Sequence, residues 1–224
     1  MRGSRPRSPP TRNPAARLHH PLCPATPANA GIHPVARGNP GPIVALSSTI
    51  YNFDIELADV DRGVYEALAL RVACHPSETH EYLLTRVLAY CLEFTEGISF
   101  GKGLSEPEEP ALTVRDLTGA LQLWVEVGAP DARRLHKASR ESPRVVIYTH
   151  KDPILLVRQL AGERIHRAEA IALYAIDRAL LESLGSRLER RMAFSLSVTH
   201  AHLYVTLDGE TLSGAVERHT LAAR

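Results

Sequence analysis

The stretch Leu112-Thr113-Val114-Arg115-Asp116-Leu117-Thr118-Gly119-Ala120-Leu121-Gln122-Leu123-Trp124-Val125-Glu126-Val127 decides the fold. Two runs rich in β-branched and large apolar side chains flank Thr118-Gly119, where the apolar pattern breaks and glycine supplies turn freedom, so residues 112–127 read as a β-hairpin. Pro130 and Asp131 then suit the first turn of a helix that runs through Lys137. Two registers fit the hairpin. A three-residue loop at residues 118–120 sets Asp116 beside Gln122 and leaves Glu126 four residues farther on the same face, about 13 Å at strand rise. A turn centred near Leu121 would instead set Asp116 opposite Glu126, but Leu and Gln are poor turn formers.

Upstream, Tyr51, Phe53, Ile55 and Leu57 alternate with Asn52, Asp54 and Glu56, the period of a half-buried strand. A turn over residues 59–63 leads to a second strand with Val64, Leu68, Leu70 and Val72, ended by His75-Pro76. Ser77 is a good N-cap for a helix whose Leu84, Val87, Leu88 and Cys91 fall at i, i+3, i+4 and i+7. Glu81 shares that inward stripe, so its carboxylate needs a partner. A short strand at residues 98–100 and an acidic loop at 105–110 complete the approach. Downstream, residues 145–148 form a compact apolar strand, 153–160 a short helix, and 170–176 another strand. A helix capped by Asp177 presents Leu180, Leu181, Leu184 and Leu188. Two alternating strands, 194–198 and 203–207, precede an Asp208-Gly209 turn and a last strand.

Residues 1–43 differ from the rest, with six arginines, no acid and ten of the sixteen prolines. Such composition cannot gather enough burial to offset ordering entropy, and disorder is expected. As a functional segment it would be a nucleic-acid arm or a transit peptide; as a bland one, a linker or a start assigned too far upstream, and the bland reading is preferred. The remaining body carries 20 basic against 25 acidic residues, about −5, unlike the basic face of a constitutive DNA binder. Arginine occurs 23 times and lysine only at 102, 137 and 151, so each lysine draws scrutiny as the cation whose pKa shifts on burial. Cys23, Cys74 and Cys91 have no paired spacing and read as reduced thiols. No apolar run approaches the roughly 18 residues of a bilayer span, and no signal segment is present, so a soluble cytoplasmic protein is expected. No P-loop, dinucleotide fingerprint or nucleophile elbow occurs.

The order strand, helix, strand, hairpin, helix, strand resembles the core of PD-(D/E)XK nucleases. Thr49-Ile50-Tyr51, the run at 58–62 (ADVDR), HPSET at 75–79, GKGLS at 101–105, DLTG at 116–119 and LWVEVGAPD at 123–131 resemble the YaeQ family more closely. The resemblance covers residues 44–224, and Val44-Ala45-Leu46 stands where family members commonly begin. It implies an α/β fold, a mixed sheet with flanking helices around a restriction-endonuclease-like core.

In such nucleases two acids from neighbouring strands hold Mg²⁺, which polarises phosphate and activates water, and a lysine near the second acid assists. By resemblance Asp116 is the first acid and Glu126 the second, with Gln122 joining the metal site if the early turn holds. Gly128 occupies the lysine position, a departure from the pattern. Glu81 and Lys102 are expected to border the same pocket through HPSET and GKGLS, and Lys137 is a candidate for a migrated lysine. Against these roles, Glu78 and Glu81 complement a helix N-terminus, Lys102 suits a loop charge, and Lys137 a solvated helix face. His200 and His202 alternate onto one strand face but lack a third ligand. Two functions follow from the resemblance: a Mg²⁺-dependent phosphodiesterase acting on nucleic acid, or an inactive nuclease-fold module that binds nucleic acid or a protein partner.

Overall fold

The computed structural model describes residues 48–221 apart from 104, 105 and 107; the arginine- and proline-rich extension at 1–43 lies outside the described residues. The described residues form one mixed sheet of ten strands and four α-helices. The strands are β1 (Thr49–Asp59), β2 (Val64–Cys74), β3 (Ile98–Phe100), β4 (Leu112–Arg115), β5 (Leu121–Val127), β6 (Arg144–Thr149), β7 (Ala172–Ile176), β8 (Arg191–Thr199), β9 (His202–Leu207) and β10 (Glu210–Thr220). The helices are α1 (His80–Leu92), α2 (Ala132–Glu141), α3 (Pro153–Leu160) and α4 (Arg178–Gly185). Sheet order is β2-β1-β8-β9-β10-β7-β6-β5-β4-β3. β5, β6 and β7 run parallel to one another, β1 runs parallel to β8, and the other neighbours are antiparallel.

Strand alternation sorts the core into two layers. Phe53, Ile55 and Leu57 of β1, Leu196 and Val198 of β8, and Val125 and Val127 of β5 pack with Leu84, Val87 and Leu88 of α1 and Leu180, Leu181 and Leu184 of α4. On the opposite face Trp124, Val145, Ile147 and Leu173 pack with Leu135 and Ala138 of α2 and Leu156 and Leu160 of α3. Parallel strands covered on both faces explain why residues 145–148 are continuously apolar.

Several boundaries depart from the sequence reading. α1 is capped by Thr79, whose Oγ1 accepts the Tyr82 N–H at 3.2 Å, not by Ser77. Ser77 and Glu78 are held in a turn by the His75 ring and carbonyl, at 3.1 and 2.8 Å. α2 begins after Asp131 and runs to Glu141, beyond the expected end at Lys137. His200 and His202 do not share a strand face: His200 and Ala201 form a left-handed turn between β8 and β9, pinned by Asp61, whose two carboxylate oxygens accept both backbone N–H groups at 2.8 Å.

Candidate functional site

The hairpin register fixes the geometry. Leu112 pairs with Val125 and Thr113 with Trp124, and a bulge after Val114 shifts Arg115 onto Leu121. Asp116 N donates to Ala120 O at 2.9 Å, so the turn is the early one. The Asp116 carboxylate organises it: Oδ1 accepts Thr118 N (2.9 Å), Thr118 Oγ1 (2.6 Å) and Ala120 N (3.0 Å), while Oδ2 accepts Gln122 Nε2 (2.7 Å). The Thr118 hydroxyl, followed by the Ala120 amide and the Gln122 side chain, holds its carboxyl below the usual value of 3.8. Asp116 and Gln122 do meet, as a turn clasp at the hairpin tip.

Glu126 lies at the other end of β5. Ala111 N donates to Val125 O at 3.0 Å, so continuing the ladder sets Ala111 opposite Glu126. Asp116 is five residues along from Ala111, about 16 Å at strand rise, too far to share an ion with Glu126. The two acids paired by resemblance are therefore not brought together. Glu126 is 3% exposed and points to the α2 side with Trp124. It accepts the Trp124 indole N–H and lies 2.6 Å from Arg134 Nε on α2. Burial pushes its carboxyl above the usual value, and Arg134 and Trp124 pull it back. Gly128 ends the strand at φ +90°, a conformation that a lysine adopts only with backbone strain. Its N–H donates to Tyr148 O at 2.9 Å, fixing the chain there.

Across from Glu126 stands a second ion pair. Arg86, inside α1, and Glu78, before it, are each 1% exposed and 3.0 Å apart. Arg86 also donates to Ala73 O at 3.2 Å and lies 5.6 Å over the Phe100 ring, while its Nε has no hydrogen-bond partner. A Cβ on Gly103 would fall 2.5 Å from Glu78 Oε1, so glycine is required for close approach. HPSET and GKGLS thus meet, but through Glu78 and Gly103. Glu81 is only partly buried beside Thr79 and His150, outside the lining of the cleft; its own backbone amide, then Thr79, holds its carboxyl low. Lys102 is 66% exposed and pairs with Glu109 at 3.5 Å. Lys137 pairs with Glu108 at 2.8 Å and lies 6.0 Å over the Trp124 ring.

Between the two ion pairs is a cleft of about 400 Å³, into which Tyr82, His150 and Lys151 also face. His150 packs edge-on to Tyr82 with ring centroids 6.0 Å apart, and its Nδ1 is buried without a hydrogen-bond partner. Burial, then the adjacent Lys151, lowers its pKa to about 4. The cleft continues on both sides. Through His150 and Lys151 it joins a depression of about 280 Å³ at Asp177 and Arg178, and through Arg134 one of about 320 Å³ at Arg133 and Lys137. The groove follows the carboxyl ends of parallel β5, β6 and β7, where ligands of open α/β sheets are commonly bound. Three of its carboxylates, Asp131, Asp152 and Asp177, cap α2, α3 and α4, accepting backbone N–H groups at 2.7, 2.8 and 2.8 Å. Helix dipoles partly offset those charges. Among the described residues no cluster of three His, Cys, Asp or Glu is arranged to hold a metal.

The fold and groove define an α/β protein with a large mixed sheet and a ligand-sized cleft at its parallel segment. The YaeQ protein family model matches residues 44–216, and the chain belongs to that family. It is 28% identical over 171 residues to an uncharacterised YaeQ protein of Escherichia coli (strain K12), covering 75% of this chain and 94% of that one. The crystal structure of YaeQ protein from Xanthomonas axonopodis pv. citri is similar at a TM-score of 0.71 and 30% identity, covering 78% of this chain and 99% of that one. That from Pseudomonas syringae is similar at 0.70 and 31%, covering 77% and 96%. No helix among the described residues is long and apolar enough to cross a membrane.

Sequence reasoning passed over Arg134, Arg86, Glu78 as a buried ion-pair partner, His150 and Lys151 as a groove cation. A signal existed for Lys151, one of three lysines in the chain. Arg86 lay hidden because α1 is buried on nearly every side, from Leu83 through Ala89, so no solvent face marks the arginine as misplaced.

Proposed function

We propose that this protein is a nuclease-like binding module, with α1, β3 to β6 and α2 forming a restriction-endonuclease-like core, that holds a nucleic-acid strand along the groove without a two-acid magnesium centre. The state of Glu126 carries the reading. Its carboxylate is engaged by Arg134 and Trp124, and the hairpin position facing it is Ala111. The motif lysine position is Gly128, held at positive φ. These residues do not fit a shared Mg²⁺. Two exposed cations, Arg133 and Lys151, stand along an elongated groove whose other charges are largely paired or capping. That pattern suits a linear polyanion held by its phosphates.

Fluorescence anisotropy of the full chain with labelled single- and double-stranded oligonucleotides, with and without Mg²⁺, tests the proposal. Binding is expected in chelator, with weaker affinity for Lys151→Gln and Arg133→Gln and no cleavage products. Glu126-dependent cleavage in Mg²⁺ or Mn²⁺, or no binding at low salt, would overturn it.

A further inference from the structure

A second cavity, of about 530 Å³, opens at the opposite end of α1 from the groove, between the α1 C-terminus and the sheet. We infer that it is a binding site for a small organic amine with a ring-sized apolar body, independent of the nucleic-acid reading.

The inference starts from Asp59, the last residue of β1, whose side chain is 1% exposed and lines the cavity. Its Oδ1 accepts Arg62 N at 3.1 Å, but Oδ2 is buried without a hydrogen-bond partner. Arg62 Nη1 stands 3.7 Å from Oδ2, beyond hydrogen-bond reach, because both terminal nitrogens of Arg62 donate elsewhere, to Leu92 O and Phe94 O at the end of α1. A buried carboxylate oxygen with no donor is costly, and a ligand N–H would supply what the protein does not.

The other charged groups of the cavity are already satisfied. Glu93, 6% exposed, accepts Arg144 Nη1 at 2.6 Å and Nη2 at 3.0 Å, and Tyr148 Oη at 2.9 Å. Asp61 is occupied by the His200 and Ala201 amides. Both cations facing the cavity, Arg62 and Arg144, therefore have protein acceptors, whereas one acceptor, Asp59 Oδ2, has no donor. The imbalance selects a cationic or amino-bearing ligand over an anionic one. The rest of the wall is mixed: Thr95 and Gln122 are polar, whereas Leu123, Val198 and Val216 form an apolar part, and Tyr148 stacks on Tyr174 at 5.3 Å and 21°. That wall accepts a flat ring. The volume falls within the range of small-molecule sites.

Titration of the full chain with three probes that share one ring body separates the possibilities: benzylamine, benzyl alcohol and benzoate. Calorimetry should show benzylamine binding at least tenfold tighter than benzyl alcohol, with benzoate silent, and Tyr148 and Tyr174 ring resonances should shift. Asp59→Asn should reduce benzylamine affinity about tenfold and leave oligonucleotide binding unchanged. Should that variant fail to fold, the wild-type probe order and the tyrosine shifts decide alone. Benzoate binding as well as benzylamine, benzylamine binding unaltered in a folded Asp59→Asn protein, or no binding by any probe would each overturn the site. Anisotropy of oligonucleotides on the same samples keeps its failure distinct from failure of the groove reading.

Discussion

At the residue scale, His150 shows how the cleft sets chemistry through burial. Its ordinary pKa of 6.5 falls to about 4, first by desolvation and then by Lys151. Between those values the unfolded chain binds a proton that the folded ring refuses. Stability therefore falls as pH drops from 6.5 toward 4, and is unaffected by this group above 6.5. His150→Phe keeps a ring against Tyr82 but removes the titration. Comparing urea midpoints at neutral pH and at about pH 5, the variant should lose less stability on acidification than the wild type. An equal loss in both proteins would place the ring in solvent. The neutral imidazole adds no charge beside Lys151 in the cleft.

At the element scale, the hairpin shows what the sequence disclosed and what it did not. The alternation in residues 112–127 and the Thr118-Gly119 break sufficed for two antiparallel strands, because side-chain period is a local property, but left two registers open, and the ladder forms the early one. The pairing partner of Glu126 is not local: it depends on a bulge after Val114 and on where the ladder continues, which set Ala111 there. Asp116 looked like a metal ligand by motif and is a turn clasp by geometry. Arg134 went unnoticed for a related reason, since a position on α2 meets β5 only once the crossover has packed. Asp116→Ala removes four accepted hydrogen bonds. Because the folded carboxyl titrates below 3.8, its contribution to stability is present above that pH and is lost as pH falls through the lower folded value. The variant should melt lower than the wild type at neutral pH, the gap closing in acid, while oligonucleotide affinity is unchanged. Loss of that affinity would return Asp116 to the functional site.

At the scale of the whole molecule, net charge and local charge disagree, and the disagreement is measurable. A body of about −5 repels a polyanion at long range, yet α2 gathers Arg133, Arg134, Lys137 and Arg140 against the single acid Glu141, and Lys151 stands beside it across the groove. Pairing reduces this set, because Arg134 neutralises Glu126 and Lys137 neutralises Glu108. Arg133 and Lys151 are left as the exposed cations that the proposed strand would contact through its phosphates, with Arg140 exposed farther along α2. Each phosphate neutralised adds about 0.7 to the slope of log affinity against log salt for a single strand. Two or three contacts predict a slope of about −1.4 to −2.1, shallow beside the slope near −10 of a protein with an extensive basic face. Anisotropy titrations over a salt series should give that slope, and Lys151→Gln should reduce its magnitude by about 0.7. A slope several times steeper would require a basic surface outside the groove, and an unchanged slope in Lys151→Gln would remove the strand from the carboxyl ends of β5 and β6.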